Sequence, residues 1–172
     1  MHIVLHEPEI HMNTGNIGRT CVCAGASLHL IHPLGFSLDE REVRRAGLDY
    51  WRELRLFQYE DFQDFVCANN SPTIYMLTTK GERPYTEASF GPDDYLMFGK
   101  ESGGIPEGIR NEYAGTCLRI PMLASSRSLN LANSVAVILY EALRQNNFDS
   151  LKTTSDYFTS AAPTVQGPLR PE

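Results

Sequence analysis

The chain has 172 residues, 42% apolar and 21% charged, which fits one soluble globular domain with a sizeable core. Its formal net charge of −6 and pI near 5.4 argue against a non-specific nucleic-acid coat, whose affinity rests on phosphate neutralisation, but allow a specific RNA enzyme with a local basic patch. Four scattered cysteines without a C-x-x-C pair, histidines without metal spacing, no apolar run of membrane-spanning length and no signal pattern point to a cytoplasmic protein without zinc, disulfides or a membrane span.

Residues 2–6 form a short apolar run ended by Glu7-Pro8 and predict a buried first strand. After a loop, Asn13-Thr14-Gly15-Asn16-Ile17-Gly18-Arg19-Thr20 opens a helix through about Ala26, with Arg19 near its first turn. Residues 28–32 read as a second strand stopped by Pro33. Residues 39–46 read as a short charged helix, and residues 54–57 as a strand. An amphipathic helix is expected over 60–68, with Phe62, Phe65 and Val66 on one side. Strands follow at 73–78 and 95–98. Pro106 starts a short helix to 112, because its missing N–H is not needed there. The last strand is 117–120.

Residues 121–146 hold the chain's dominant helix, entered through the serine-rich loop Ala124-Ser125-Ser126-Arg127-Ser128. It runs from near Asn130 to about Gln145, capped by Ser128 or Asn130. Its centre, Val135-Ala136-Val137-Ile138-Leu139, is apolar on every face and so must be covered on both sides, by the sheet and by a second subunit. One domain is expected over 1–150. The tail, 151–172, is rich in Ser, Thr, Pro and Gly and is expected to be disordered.

Strands alternating with helices imply an α/β fold, a parallel sheet with helices on both faces. Ligands in such sheets bind beyond the carboxyl ends of strands, which selects the loops after Leu77, Phe98 and Ile120. The loop Gly99-Lys100-Glu101-Ser102-Gly103-Gly104 has neither phosphate-loop spacing nor a dinucleotide fingerprint, but can wrap a flat ligand with backbone groups. Glu101 could serve as an acid or base, or hold the loop by accepting backbone N–H bonds. No nucleophilic set is evident. Arg41, Arg44, Arg45, Arg52 and Arg55 form either a basic patch or a solvated face balanced by nearby carboxylates.

Three separated segments carry a family resemblance. They are residues 13–19, residues 96–106, and Ile120-Pro121-Met122 with Ser128-Leu129-Asn130-Leu131-Ala132-Asn133-Ser134. Together they resemble the SPOUT superfamily of RNA methyltransferases, in its ribose 2′-O-methylating SpoU class. The lack of an N-terminal RNA-binding extension, Glu7-Pro8-Glu9-Ile10, and residues 44–50 resemble its minimal TrmL-type branch, which methylates the wobble ribose of certain tRNAs. Two departures stand out. Gly18 replaces a larger apolar residue, which would loosen the first helix, and His11-Met12 replace prolines.

The resemblance implies a homodimer and a C-terminal deep trefoil knot, which pattern reasoning would not propose because knotted chains are rare. It implies S-adenosylmethionine as cofactor, with S-adenosylhomocysteine as product and no metal. Leu77, Gly99, Glu101, Ile120, Ser128 and Leu129 would bind the cofactor, and Arg19 and Ser128 would carry catalysis. The tRNA anticodon stem-loop would meet Arg41, Arg44, Arg45 and Tyr50, with Tyr50 or Trp51 stacking on a base. The family proposal makes Arg19 the base, but a guanidinium is essentially always protonated. The competing role is an electrostatic clamp on phosphate and forming alkoxide, and the bland alternative is an ion pair with Glu7 or Glu9. Other readings are an rRNA ribose target, a catalytically silent RNA-binding dimer, and a flavodoxin-type nucleotide-binding protein.

Overall fold

In the computed structural model the described residues are 1–38 and 49–155. The elements, in order, are β1 (His2–His6), α1 (His11–Ala24), β2 (Ser27–Ile31), a 3-10 turn (Asp49–Glu53), β3 (Leu56–Tyr59), α2 (Phe62–Ala68), β4 (Ile74–Leu77), β5 (Arg83–Pro84), β6 (Tyr95–Phe98), α3 (Glu107–Glu112), β7 (Cys117–Arg119) and α4 (Leu131–Gln145). The strands form one sheet in the order β3-β2-β1-β6-β4-β7-β5. Every pairing in it is parallel, as the alternation of strands and helices requires.

Successive strand residues face opposite sides of the sheet. Ile3, Leu5, Leu28, Leu30, Leu96 and Phe98 therefore meet α1 and α4 through Ile17, Cys21, Val135, Ile138, Leu139 and Ala142. Val4, Ile31, Met76 and Met97 meet Phe65 of α2 on the other face, with Ile109 of α3 beside them. A sheet buried on both faces explains why its central strands read as unbroken apolar runs.

Local chemistry sets the helix ends. Gly25 ends α1 at φ 66°, a left-handed position that glycine adopts without strain. The Ala26 N–H then bonds back to the Cys21 carbonyl. Asn130 caps α4, its side chain accepting from the Ala132 and Asn133 N–H groups; such a cap contributes about 1 kcal/mol.

Three differences from the sequence reading stand out. α1 starts at His11, with no side-chain cap, because Asn13 is committed to a tertiary contact instead. β3 starts at Leu56, since Asp49–Glu53 folds as a 3-10 turn. β5 was unforeseen. The sheet covers one side of α4, as expected, and the side assigned to a second subunit is open in the single chain: Val135, Ile138 and Leu139 are buried, while Val137 and Tyr140 are 40% and 46% exposed. The expected charged helix at 39–46 and residues 156–172 of the expected tail lie outside the described residues. Among the described residues, no helix is long and apolar enough to cross a membrane.

On the α2 face of the sheet, buried His29 of β2 joins a polar chain. Its Nδ1 lies 2.8 Å from the Tyr59 hydroxyl and its Nε2 lies 2.9 Å from His2 Nδ1. Burial holds the His29 imidazole far below its ordinary 6.5, at about 3. Between those values the unfolded chain takes up a proton that the folded chain refuses, so this group removes stability as pH falls from about 6.5 toward 3. Urea unfolding across that range should show the loss, with a shallower slope in His29→Gln.

Candidate cofactor and catalytic site

The carboxyl ends of β4, β6 and β7, three adjacent strands, open into a cleft of about 500 Å³. That volume lies within the ~300–1,000 Å³ usual for small-molecule sites. The cleft is lined by the three loops selected from the sequence and by the entrance to α4. Leu77, Gly99, Glu101, Ile120, Ser128 and Leu129 all border it. Ile10 and Leu129 leave apolar surface at the mouth, 45% and 41% exposed. Thr78, Ser128 and Asn130 supply polar atoms, and bare backbone is presented at Gly99, Gly103 and Gly104.

The glycine loop folds onto itself. The Gly104 N–H donates to the Lys100 carbonyl at 2.8 Å, and Gly104 takes φ 69°. A Cβ built on Gly99 would lie 2.0 Å from the Gly104 carbonyl carbon and 2.1 Å from the Ile105 nitrogen. Position 99 is therefore closed to any side chain.

A polar bridge ties the three motif segments together. Glu101 accepts from the Glu9 N–H at 2.8 Å and from Asn13 Nδ2 at 2.9 Å. Asn13, 7% exposed, accepts in turn from Asn130 Nδ2 at 3.0 Å. Beside it, the Ser102 N–H and hydroxyl donate to Glu9 at 2.8 and 2.7 Å, which holds the Glu9 carboxyl below its ordinary range. Lys100 Nζ donates to Glu7 at 2.7 Å, which raises its ammonium's proton affinity. Of the two roles left open for Glu101, the geometry displays the holding one. Asn13 was visible in the sequence only as part of a motif; its contacts lie 88 and 117 positions away.

Arg19 stands apart from the cleft. It lies six residues beyond Asn13 on α1, on another face of the helix, and is exposed. Neither Glu7 nor Glu9 pairs with it, since their carboxylates are taken by Lys100 and Ser102. Its guanidinium carbon instead sits 5.5 Å from the centroid of the Tyr50 ring. The exposed α1 face carries Met12, Asn16, Arg19 and Cys23, and the exposed face of the adjacent α4 carries Asn133, Val137, Tyr140 and Arg144. Arg41, Arg44 and Arg45 lie outside the described residues. Among the described residues, no cluster of three or more His, Cys, Asp or Glu is placed to hold a metal ion.

Comparison with known proteins places this architecture among relatives. The family described as SpoU rRNA Methylase matches residues 1–140. The tRNA (cytidine(34)-2′-O)-methyltransferase of Escherichia coli strain K12 is 46% identical over 146 residues, covering 84% of this chain and 93% of its own. A solved structure described as giving insights into the 2-OH methylation of C/U34 on tRNA is 44% identical, with a TM-score of 0.79, over 85% of this chain and 95% of its own. An AdoMet-bound rRNA methyltransferase from Sinorhizobium meliloti is 25% identical, with a TM-score of 0.73, over 83% of this chain and 55% of its own.

Proposed function

This chain belongs to the SpoU methylase family, and on that premise we propose that it is a tRNA 2′-O-methyltransferase acting on the wobble ribose, cytidine or uridine 34. The observation that carries the reading is the cleft at β4, β6 and β7, where all three family segments converge and are hydrogen-bonded together through Asn13, Glu101 and Asn130.

The cleft fits S-adenosylmethionine. Leu77, Ile120 and Leu129 give apolar walls for a flat base, and Gly99, Glu101 and Ser128 give backbone and side-chain polar groups. When bound there, the cofactor supplies a methyl group made electrophilic by its sulfonium, so no metal is needed to activate it. The chain's own residues must hold the ribose hydroxyl in line, exclude water and stabilise charge on the 2′-oxygen as its proton leaves. Ser128, exposed at the cleft rim, is the second proposed catalytic residue after Arg19.

The functional unit is a homodimer. The exposed apolar Met12, Val137 and Tyr140 lie on adjacent helices, and Arg19 shares their face. Pairing two copies through that face covers the open side of α4 and brings Arg19 of one copy to the cleft of the other. Residues 1–150 act as one domain whose C-terminal part is threaded as a deep trefoil knot. Arg41, Arg44 and Arg45 are the tRNA phosphate contacts, at the segment that ends in Tyr50. Calorimetry with S-adenosylhomocysteine should show one saturable site per chain, and no binding would overturn the reading.

A further inference from the structure

We propose that Tyr50 is the positioning residue of Arg19: it holds the guanidinium at a fixed place on α1, ready for the phosphate and the forming alkoxide. The inference rests on the methyltransferase reading and deepens it.

Three contacts build the arrangement. The Tyr50 hydroxyl donates to the Gly15 carbonyl at 2.7 Å, which anchors the ring to α1. Gly15 and Arg19 are four residues apart and share a helix face. The anchored ring therefore lies under the Arg19 guanidinium, with the guanidinium carbon 5.5 Å from its centroid. The third contact is at Gly18. A Cβ there would meet Trp51 Cζ3 at 3.1 Å and Leu54 Cδ2 at 3.2 Å. The missing side chain lets the 49–53 turn press against α1, and that approach seats Tyr50. Gly18, a departure from the family pattern, is the notch that receives Trp51.

The electron-rich face of a tyrosine attracts a guanidinium as a charged group. Use of Arg19 as a base would require the opposite surroundings, with deep burial or a cation beside it. Arg19 lies over an aromatic face, and that contact lies within one chain, so pairing of copies does not create it. The geometry therefore favours the clamp over the base. It also commits one face of Tyr50 to Arg19, so that face is not open to stack on a base of the RNA.

The test compares wild type, Tyr50→Phe and Tyr50→Leu in methyl transfer to tRNA, with S-adenosylhomocysteine affinity and thermal stability measured on each. Tyr50→Leu should lower kcat by about 5–30-fold, with tRNA KM and S-adenosylhomocysteine affinity within about twofold of wild type. Tyr50→Phe keeps the ring but loses its bond to the Gly15 carbonyl, and its turnover should fall between wild type and Tyr50→Leu. A rise in tRNA KM at unchanged kcat would make Tyr50 a base-stacking contact and overturn the proposal. So would equal damage in both variants, or a parallel loss of cofactor affinity and stability. If wild type itself transfers no methyl group to tRNA, the proposed function fails and this inference with it. Activity in wild type with an indifferent Tyr50→Leu removes this inference alone.

Discussion

Replacing Arg19 with alanine should lower methyl transfer by about 10²–10³-fold, the usual loss when one preorganised donor is removed from a developing oxyanion. S-adenosylhomocysteine affinity should stay within about twofold of wild type, because Arg19 is assigned to the phosphate and the forming alkoxide and not to the cofactor. Arg19→Lys should lose most of the turnover as well. A lysine keeps the charge but not the planar fork that grips a phosphate and stacks on Tyr50. Near-native turnover in Arg19→Lys would remove Arg19 from the mechanism. The separation of Arg19 from its own cleft adds a further expectation. Mixing Arg19→Ala with an inactive cleft variant, after subunit exchange, should restore up to about a quarter of wild-type activity. Half of the dimers would then be mixed, each with one of its two sites intact. No recovery would place Arg19 and the cleft it serves in one chain.

The second large effect is expected at Gly99. Alanine there puts a methyl group 2.0 Å from the Gly104 carbonyl carbon, and backbone atoms at that distance have no rotamer through which to escape. The loop must open, and with it the cleft wall that Gly99, Glu101 and Gly104 build. A displacement on the order of 1 Å at a positioned site costs about 10²-fold. Gly99→Ala should therefore lower methyl transfer by about that factor and weaken S-adenosylhomocysteine binding, read by calorimetry. Gly108 is the control. It sits in α3, nothing lies within 4 Å of a Cβ built there, and alanine suits a helix better than glycine. Gly108→Ala should leave binding unchanged.

The strands that position the cleft were legible because they are buried on both faces. Residues such as Leu96-Met97-Phe98 need apolar side chains toward both layers, and an unbroken apolar run ending in glycine is easily read. The cleft loops followed directly, since ligands gather at the carboxyl ends of such strands. β5 carried no comparable signal. Arg83 and Pro84 form a strand only because Leu118 and Arg119 lie beside them, and a charged residue followed by proline reads as a turn. Leu54-Arg55-Leu56-Phe57 alternated as a strand should, yet Leu54 packs behind the 49–53 turn while β3 begins two residues later.

The site was legible as segments and illegible as contacts. Periodicity places Arg19 on a helix face but cannot say that an aromatic ring 31 positions later lies under it. Likewise, Asn13 as a helix opener and Asn130 as a cap were local readings. Their bond to each other, and the bond of Asn13 to Glu101, exist only once the sheet has brought the three segments together. The apolar centre of α4 is the converse case. Composition said that both sides need cover, and the single chain covers one, leaving Val137 and Tyr140 as the surface the second copy would take.

The most direct measurement is transfer of labelled methyl from S-adenosylmethionine to total tRNA from a strain lacking wobble 2′-O-methylation, with the label mapped by nuclease digestion. Label on the 2′-oxygen of nucleotide 34, lost in Arg19→Ala, is the predicted result. Label at another ribose or in rRNA, or no label from a protein that binds S-adenosylhomocysteine normally, would contradict the assignment of the wobble ribose as its target.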